Sequence, residues 1–341
     1  MMPATYKIRQ DLLSLAASGR VSPVRILSRI LHRGINVLAR ENPEIRPVNR
    51  AGHPGGMLIL NKEIPVIIVP DLHARRDFLM NVLNMATPSG DILSRLADGS
   101  LQLLCLGDGF HAERRGYKRW IRSLEEFQTG YRRHRNMDRE MAESLGLMEM
   151  VLILKAEFPD TFHFLKGNHE NIRNEEGNGN HPFGKFVYEG EMVRQWVLRF
   201  LGESFLEEYA AFEHMLPFMA VGPRFLASHA EPDRYYSPEE VIDIEFDDAM
   251  KLGLTWTGND QSEPGTVQTF LMEYSRRHNR PLEYYFGGHR TISSLYKLRA
   301  EGYFIQIHNP DRKIIALNNP ARALEIDRDI IDIEGKRSLE P

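Results

Sequence analysis

Five times along this chain an apolar run stops on an aspartate, asparagine or histidine, and that recurrence limits the fold more than any other feature. Residues 64–69 stop at Pro70-Asp71, with His73 two positions on, and residues 101–106 stop at Gly107-Asp108. Residues 162–165 lead to Gly167-Asn168-His169, residues 225–228 to His229, and residues 284–288 to His289. Short apolar runs bounded by turn formers read as buried strands. Helical periodicity between them, over residues 78–85 and 148–158, makes the chain an α/β protein. In such sheets the strand C-termini form the ligand crevice, because side chains there are held by a rigid strand yet face solvent.

With 341 residues, 42 % of them apolar, the chain can bury a large core. A net charge of −4 argues against a nucleic-acid coat, so anion binding must come from local positive charge. Cys105 is the single cysteine and lies inside an apolar run, so no disulfide framework is expected. The first 20 residues carry Lys7, Arg9 and Asp11 among their apolar positions, unlike a signal peptide. No stretch approaches the ~20 apolar residues that span a bilayer. A cytoplasmic protein with no membrane partner is expected.

Residues 5–18 read as a helix stopped by Gly19; Ser22-Pro23 then caps and opens a second helix ending near Asn42-Pro43. The proline- and glycine-bearing stretch 44–56 is a loop, so residues 1–56 form an N-terminal helical extension. Residues 57–60 and 64–69 read as two strands about a short turn. From there one catalytic domain is expected over 57–325, with a tail over 326–341.

The residue types at the strand ends suit a pair of cations. Asp71 and His73 can converge on one ion if the chain turns there. Asp108, between Gly107 and Gly109, has two oxygens and can bridge two ions ~3.5–4 Å apart. Asn168 offers a neutral amide oxygen, and His229 and His289 offer imidazole nitrogens suited to manganese, iron or zinc. His169 can hold a proton near neutral pH and pass it to a leaving oxygen. Taken singly, each residue also fits a loop carboxylate, a turn asparagine or a core-edge histidine. It is the joint recurrence that points to metal.

With these words in order, Asp71-x-His73, Gly107-Asp108, Gly167-Asn168-His169-Glu170, His229 and Gly288-His289, the sequence resembles the calcineurin-like metallophosphoesterase superfamily. The stretch Leu254-Thr255-Trp256-Thr257, and Thr291 where many superfamily members carry a further metal histidine, narrow the likeness to the serine/threonine phosphoprotein phosphatase branch. The resemblance implies a four-layer α/β sandwich, with two central mixed β-sheets flanked by α-helices. It implies one ion on Asp71, His73 and Asp108, and a second on Asp108, Asn168, His229 and His289. It assigns His169 as the proton donor to the leaving group.

That branch continues from Gly-Asp to an Asp-Arg-Gly word three residues on, whereas Asp108 is followed by residues 109–116 in a loop about two residues longer. Glu113 is accordingly expected to orient His169, and Arg114 to hold phosphate, with Arg115 an equal alternative. Lys166 stands where the branch has arginine and, with Asn168, is a further phosphate-binding candidate. Pro70 and Ala74 replace glycines of the first motif.

Relative to compact members, residues 117–147 form an insertion rich in arginine, including Arg119, Arg122, Arg132, Arg133, Arg135 and Arg139. It reads as a helical element at the cleft mouth that would attract phosphorylated or polyanionic substrates. The loops 175–180 and 259–265 are expected to rim the cleft.

The expected activity is hydrolysis of phosphomonoesters, including those of a phosphorylated protein or a small molecule, by direct attack of a hydroxide bridging the two ions. A nucleotide or dinucleoside polyphosphate hydrolase is the alternative within the same chemistry. A phosphate-binding module without turnover is the alternative of another class. Nucleic acid is not an expected substrate, because no aromatic-interleaved basic stripe is present.

Overall fold

The computed structural model describes residues 4–339; the first three residues of the expected N-terminal extension and the last two of the expected tail lie outside them. Helices α1 (Ala4–Ala17) and α2 (Val24–Leu38) come first. Leu27, Leu31, Gly34 and Leu38 form one buried stripe on α2 at helical spacing. The proline expected inside the first turn of α2 is instead its N-cap, with no side-chain capping bond. Ser22 Oγ is drawn away to the carboxylate of Glu149, 2.7 Å distant.

The chain then alternates. It runs through β1 (Met57–Ile59), β2 (Val66–Val69), α3 (Arg76–Asn84), a small hairpin of β3 (Ala86–Thr87) and β4 (Gly90–Asp91), α4 (Ile92–Ala97) and β5 (Gln102–Cys105). Next come α5 (Tyr117–Gln128), α6 (Arg135–Glu157), β6 (Phe162–Phe164), α7 (Glu189–Phe200), α8 (Glu203–His214), β7 (Met219–Val221) and β8 (Phe225–Ser228). The remainder is α9 (Pro238–Ile242), α10 (Asp248–Thr255), α11 (Thr266–His278), β9 (Tyr284–Gly287), β10 (Lys297–Arg299), β11 (Phe304–Gln306), β12 (Ile314–Asn318), α12 (Ile326–Asp329) and β13 (Ile330–Asp332).

Eleven of these strands make two sheets, ordered β13-β12-β2-β5-β6 and β1-β7-β8-β9-β11-β10. In the first, β2, β5 and β6 are parallel neighbours; in the second, β8, β9 and β11 are. The strands expected to turn on each other, β1 and β2, belong to different sheets: β1 lies parallel to β7, and β2 between β12 and β5. Apolar runs buried on both faces carry no alternation that names a partner, so pairing was decided by topology.

Strand residues alternate between two environments. Ile67, Val69, Leu103 and Cys105 pack under the helices α1–α8, while Val66, Ile68, Leu104 and Leu106 face the other sheet. There they meet Leu58, Ala220, Ala227, Phe286 and Ile305. Met219, Val221 and Tyr285 face outward onto Val241, Leu254 and Phe270 of α9, α10 and α11. Two mixed sheets stacked face to face and covered by helices on both outer sides follow directly from this period of two.

The arginine-rich segment is built into the framework. Its second helix, α6, continues unbroken past residue 147, and Trp120, Met137, Met141 and Leu145 are buried. Arg119 is spent on Glu140 and Glu143, while Arg122, Arg132, Arg133, Arg135 and Arg139 are exposed. At the other end of the chain, residues 330–332 supply the edge strand β13 against β12. Among the described residues no helix is long and apolar enough to cross a membrane.

Candidate metal centre

The C-terminal ends of β2, β5 and β6 and those of β8, β9 and β11 open toward the same crevice, one trio from each sheet. Just past these ends sit Asp71, Asp108 and Asn168 from the first sheet, and His229, His289 and His308 from the second. His73 follows Asp71 across a turn at positive φ, and Asp108 itself has φ +52. Such backbone, costly for residues with a β-carbon, persists where surrounding bonds hold it. Here Glu170 does so: its carboxylate accepts the backbone N–H groups of Asp108 (2.9 Å), Gly109 (2.7 Å) and Gly167 (2.7 Å). Asp108 Oδ1 in turn accepts His169 N–H at 2.9 Å. The loops approach so closely that a β-carbon on Gly167 would lie 2.2 Å from Asp108 Oδ1, and one on Gly288 1.7 Å from Asp71 Oδ1.

Asp108 Oδ2 is the hub. It lies 3.6 Å from His73 Nε2, 3.4 Å from His229 Nε2 and 3.7 Å from His169 Nε2. On one side, His73 Nε2 is 3.9 Å from Asp71 Oδ2. On the other, Asn168 Oδ1 is 2.9 Å from both His229 Nε2 and His289 Nδ1. The second nitrogens of two rings are tied to backbone: His73 Nδ1 to the carbonyls of Phe110 and His111, His229 Nδ1 to that of Leu106 at 2.9 Å. Those bonds aim the other nitrogen, with its lone pair, into the crevice.

This donor set fits metal ions. Asp71 and Asp108 are fully buried, yet their side chains pair with histidines alone and with no lysine or arginine among the described residues. Buried carboxylates are tolerated when they are paired or coordinate a cation. Asp71 Oδ1, His289 Nε2 and His308 Nδ1 are buried without a hydrogen-bond partner among the described residues. Donor separations of 3.4–3.9 Å exceed a hydrogen bond, whereas bonds of ~2.0–2.2 Å to a shared ion place neighbouring donors roughly 3–3.6 Å apart. The field calls for positive charge: burial disfavours a charged His229 ring, but Asp108 and Asp71 raise it to about 9. Asp71, His73 and His308 form one cluster of metal-binding geometry, and Asp71, Asp108 and His229 another.

The structure brings together all six residues expected to bind metal, and sets His169 beside them. It departs from expectation at the second motif. The side chain within hydrogen-bond distance of the His169 ring is His111, with Nδ1 2.8 Å from His169 Nδ1, not Glu113. Glu113 points to the other side of the loop, where its Oε2 is 3.1 Å from His308 Nε2 and its Oε1 is 3.8 Å from His73 Nε2 and 3.5 Å from Lys185 Nζ. The positive φ of His111 turns the backbone between the two residues. Burial would raise the Glu113 carboxyl, but His73 and His308 hold it far below the usual carboxylate range.

The phosphate-binding candidates separate as well. Arg114 is exposed at the start of a short 3-10 turn, whereas Arg115 is committed to Glu143 at 2.5 Å and to the His73 carbonyl at 3.1 Å. Lys166 is buried; its ammonium donates to the Glu170 carbonyl beside the buried Glu213, and it is not free to meet a phosphate. A buried strand-end lysine needs acceptors, and these are its own. Phe183, from the loop before α7, lies with its ring 3.8 Å from that of His169 and 5.0 Å from that of His111.

Two residues escaped the sequence reading although signals existed. His308 ends the apolar run of β11, a sixth instance of the founding pattern. His111 stands three residues after Asp108, the spacing at which the resembling branch carries the aspartate of its Asp-Arg-Gly word.

A family model described as calcineurin-like phosphoesterase matches residues 64–304. Among curated proteins none matches this chain in sequence. Of solved structures, a protein serine/threonine phosphatase from Saccharomyces cerevisiae with similarity to human phosphatase PP5 shares 14 % identity. It superposes with a TM-score of 0.61 over 95 % of this chain and 94 % of its own. A cold-active protein-tyrosine phosphatase of a psychrophile, Shewanella sp., shares 13 % identity over 81 % of this chain and 86 % of its own, with a TM-score of 0.44. The first of these likenesses concerns the fold, and it spans both sheets.

Proposed function

The chain belongs to the calcineurin-like phosphoesterase family and is thereby a phosphoric ester hydrolase, and from that premise we propose that it hydrolyses phosphomonoesters, those of phosphorylated proteins among them, at a two-metal centre. The observation that carries this reading is the convergence of donors from both sheets on Asp108 Oδ2, with His169 Nε2 3.7 Å from that same oxygen. One ion would be held by Asp71, His73 and Asp108, the other by Asp108, Asn168, His229 and His289. Manganese, iron and zinc all suit this mixture of imidazole, carboxylate and amide oxygen. Bound there, the ions would acidify a water and neutralise charge on the phosphoryl oxygens.

The remaining work falls to the chain. His169 protonates the departing alcohol from Nε2, the nitrogen that faces the centre. Arg114, the unengaged arginine of the second-motif loop, holds phosphoryl oxygens bidentately. Phe183 covers His169 and keeps bulk water from it.

The exposed arginines of α5, α6 and their junction favour a second reading, a nucleotide or dinucleoside polyphosphate hydrolase. Metal-reconstituted protein assayed on p-nitrophenyl phosphate, a panel of phosphopeptides and diadenosine tetraphosphate separates the two. Faster turnover of the phosphomonoesters, abolished by chelator, is expected. Preferential cleavage of diadenosine tetraphosphate would replace this reading with the second. Stoichiometric metal with no turnover of any of them would leave a binding module.

A further inference from the structure

We propose that His308 is a fourth protein ligand of the ion held by Asp71, His73 and Asp108, binding through Nδ1, with Glu113 as the outer carboxylate that fixes its ring. The proposal rests on the two-metal reading above and deepens it at one ion.

Thr291, where many superfamily members carry an added metal histidine, is exposed here. That would leave the first ion with three protein donors and the second with four. A later strand, β11, changes the count. β11 lies parallel to β9 in the second sheet and carries His308 to the crevice. The side chain is fully buried, and its Nδ1 has no hydrogen-bond partner among the described residues. That nitrogen is 3.8 Å from Asp71 Oδ2, and the His73 ring centre is 5.2 Å from that of His308. Together the three offer donors within 4.8 Å of one another.

Two accounts of this geometry compete. A protonated His308 in a plain ion pair would draw Asp71 to hydrogen-bond distance, about 2.7–2.9 Å for a charge-assisted contact. At 3.8 Å the pair is too long for that bond, though close to the separation of two donors on one ion. The far nitrogen agrees with the second account. His308 Nε2 is 3.1 Å from Glu113 Oε2, and a proton held there leaves Nδ1 with its lone pair directed at Asp71. A carboxylate on the outer nitrogen of a histidine is the usual device that fixes tautomer and raises basicity in a metal-bound imidazole. It also gives Glu113 a task at the first ion and explains why His169 is left to His111.

The test reads metal, not turnover. The full chain, the His308→Ala and His308→Asn variants and Glu113→Gln are stripped with chelator. Their folding is checked by circular dichroism, and they are then titrated with Co²⁺, with bound metal and visible absorption recorded. The parent should bind two equivalents. Either His308 variant should hold one as before and the other at least 10–100-fold more weakly, the range seen when an outer partner is lost, with altered absorption from that ion alone. Glu113→Gln should weaken the same ion, by about 10-fold. Two equivalents with parental affinity and spectrum in both His308 variants would overturn the proposal and leave the two-metal reading intact. A parent that binds fewer than two would overturn the reading itself.

Discussion

The Nδ1 atom of His111 lies 2.8 Å from the Nδ1 atom of His169, so the proposed proton donor leans on a second imidazole and not on a carboxylate. Burial, with His73 adding to it, holds His111 down at about 3, and the ring is neutral near pH 7. Burial also depresses His169; Asp108 opposes this, while His73 and His111 add to it. A neutral neighbour supports an imidazolium less than an anionic one does.

Replacing the neighbour should therefore move the pH profile. His169 must be protonated to donate, so turnover is present below its pKa and lost as pH rises through it. In His111→Asp the carboxylate favours the imidazolium, and the alkaline limb of kcat should shift to higher pH. The shift should be large for an alkyl phosphate and small for p-nitrophenyl phosphate, whose leaving group needs little protonation. An unmoved limb with the alkyl substrate would show that His111 does not act on His169.

His169 and Asp108 should separate in what they lose. His169→Ala is expected to keep both ions and to lower kcat by on the order of 10²–10⁴, the usual worth of a general acid. Asp108→Ala should lose metal, because the hub of the centre is gone. Metal analysis beside steady-state kinetics checks both, and the reverse pattern would exchange their roles.

Glu170 should matter through three hydrogen bonds. Glu170→Ala strands the N–H groups of Asp108, Gly109 and Gly167 in a buried loop. At ~1–3 kcal/mol for each unsatisfied group, metal-free protein should lose about 3 kcal/mol or more of stability. Glu170→Gln keeps one acceptor oxygen and should recover part of it. Urea unfolding with chelator present measures the difference, and an unchanged midpoint in Glu170→Ala would contradict it.

His163, on β6 away from the centre, should make the fold acid-sensitive. Burial, then Lys155, lowers its pKa to about 3 from the ordinary 6.5. The folded state therefore holds the ring neutral. Its contribution is complete above pH 6.5 and is lost as pH falls from there toward 3, because the unfolded chain takes up the proton first. Between pH 7.5 and 4.5 this costs about 2–3 kcal/mol at 1.36 kcal/mol per pH unit. In His163→Leu the gap between urea midpoints at these two pH values should narrow, and an equal gap would count against a neutral buried ring.

Much of the fold could be read in advance, at particular places. The apolar runs ending at Asp71, Asp108, Asn168, His229 and His289 are strands β2, β5, β6, β8 and β9, because buried strands and their polar stops are local signals. The pairing of β1 with β7 was not legible, since a strand buried on both faces does not name its neighbour. Nor was the depth of α6, whose charged first turns read as a surface element while Met137 and Met141 lie in the core.

The order of residue types along the chain was enough to determine which kind of chemistry the crevice holds: carboxylates, imidazoles and one amide at successive strand ends suit cations and little else. Only the tertiary structure decided which of these groups meet. Glu113 and His111 are two residues apart in one loop, and a left-handed backbone at His111 sends one toward His308 and the other to His169. His308 reaches Asp71 from the opposite sheet, 237 residues away in the chain. Side-chain identity is written locally, whereas the direction of a loop and the stacking of two sheets arise from the packing of the whole, and a metal centre is made where those directions cross.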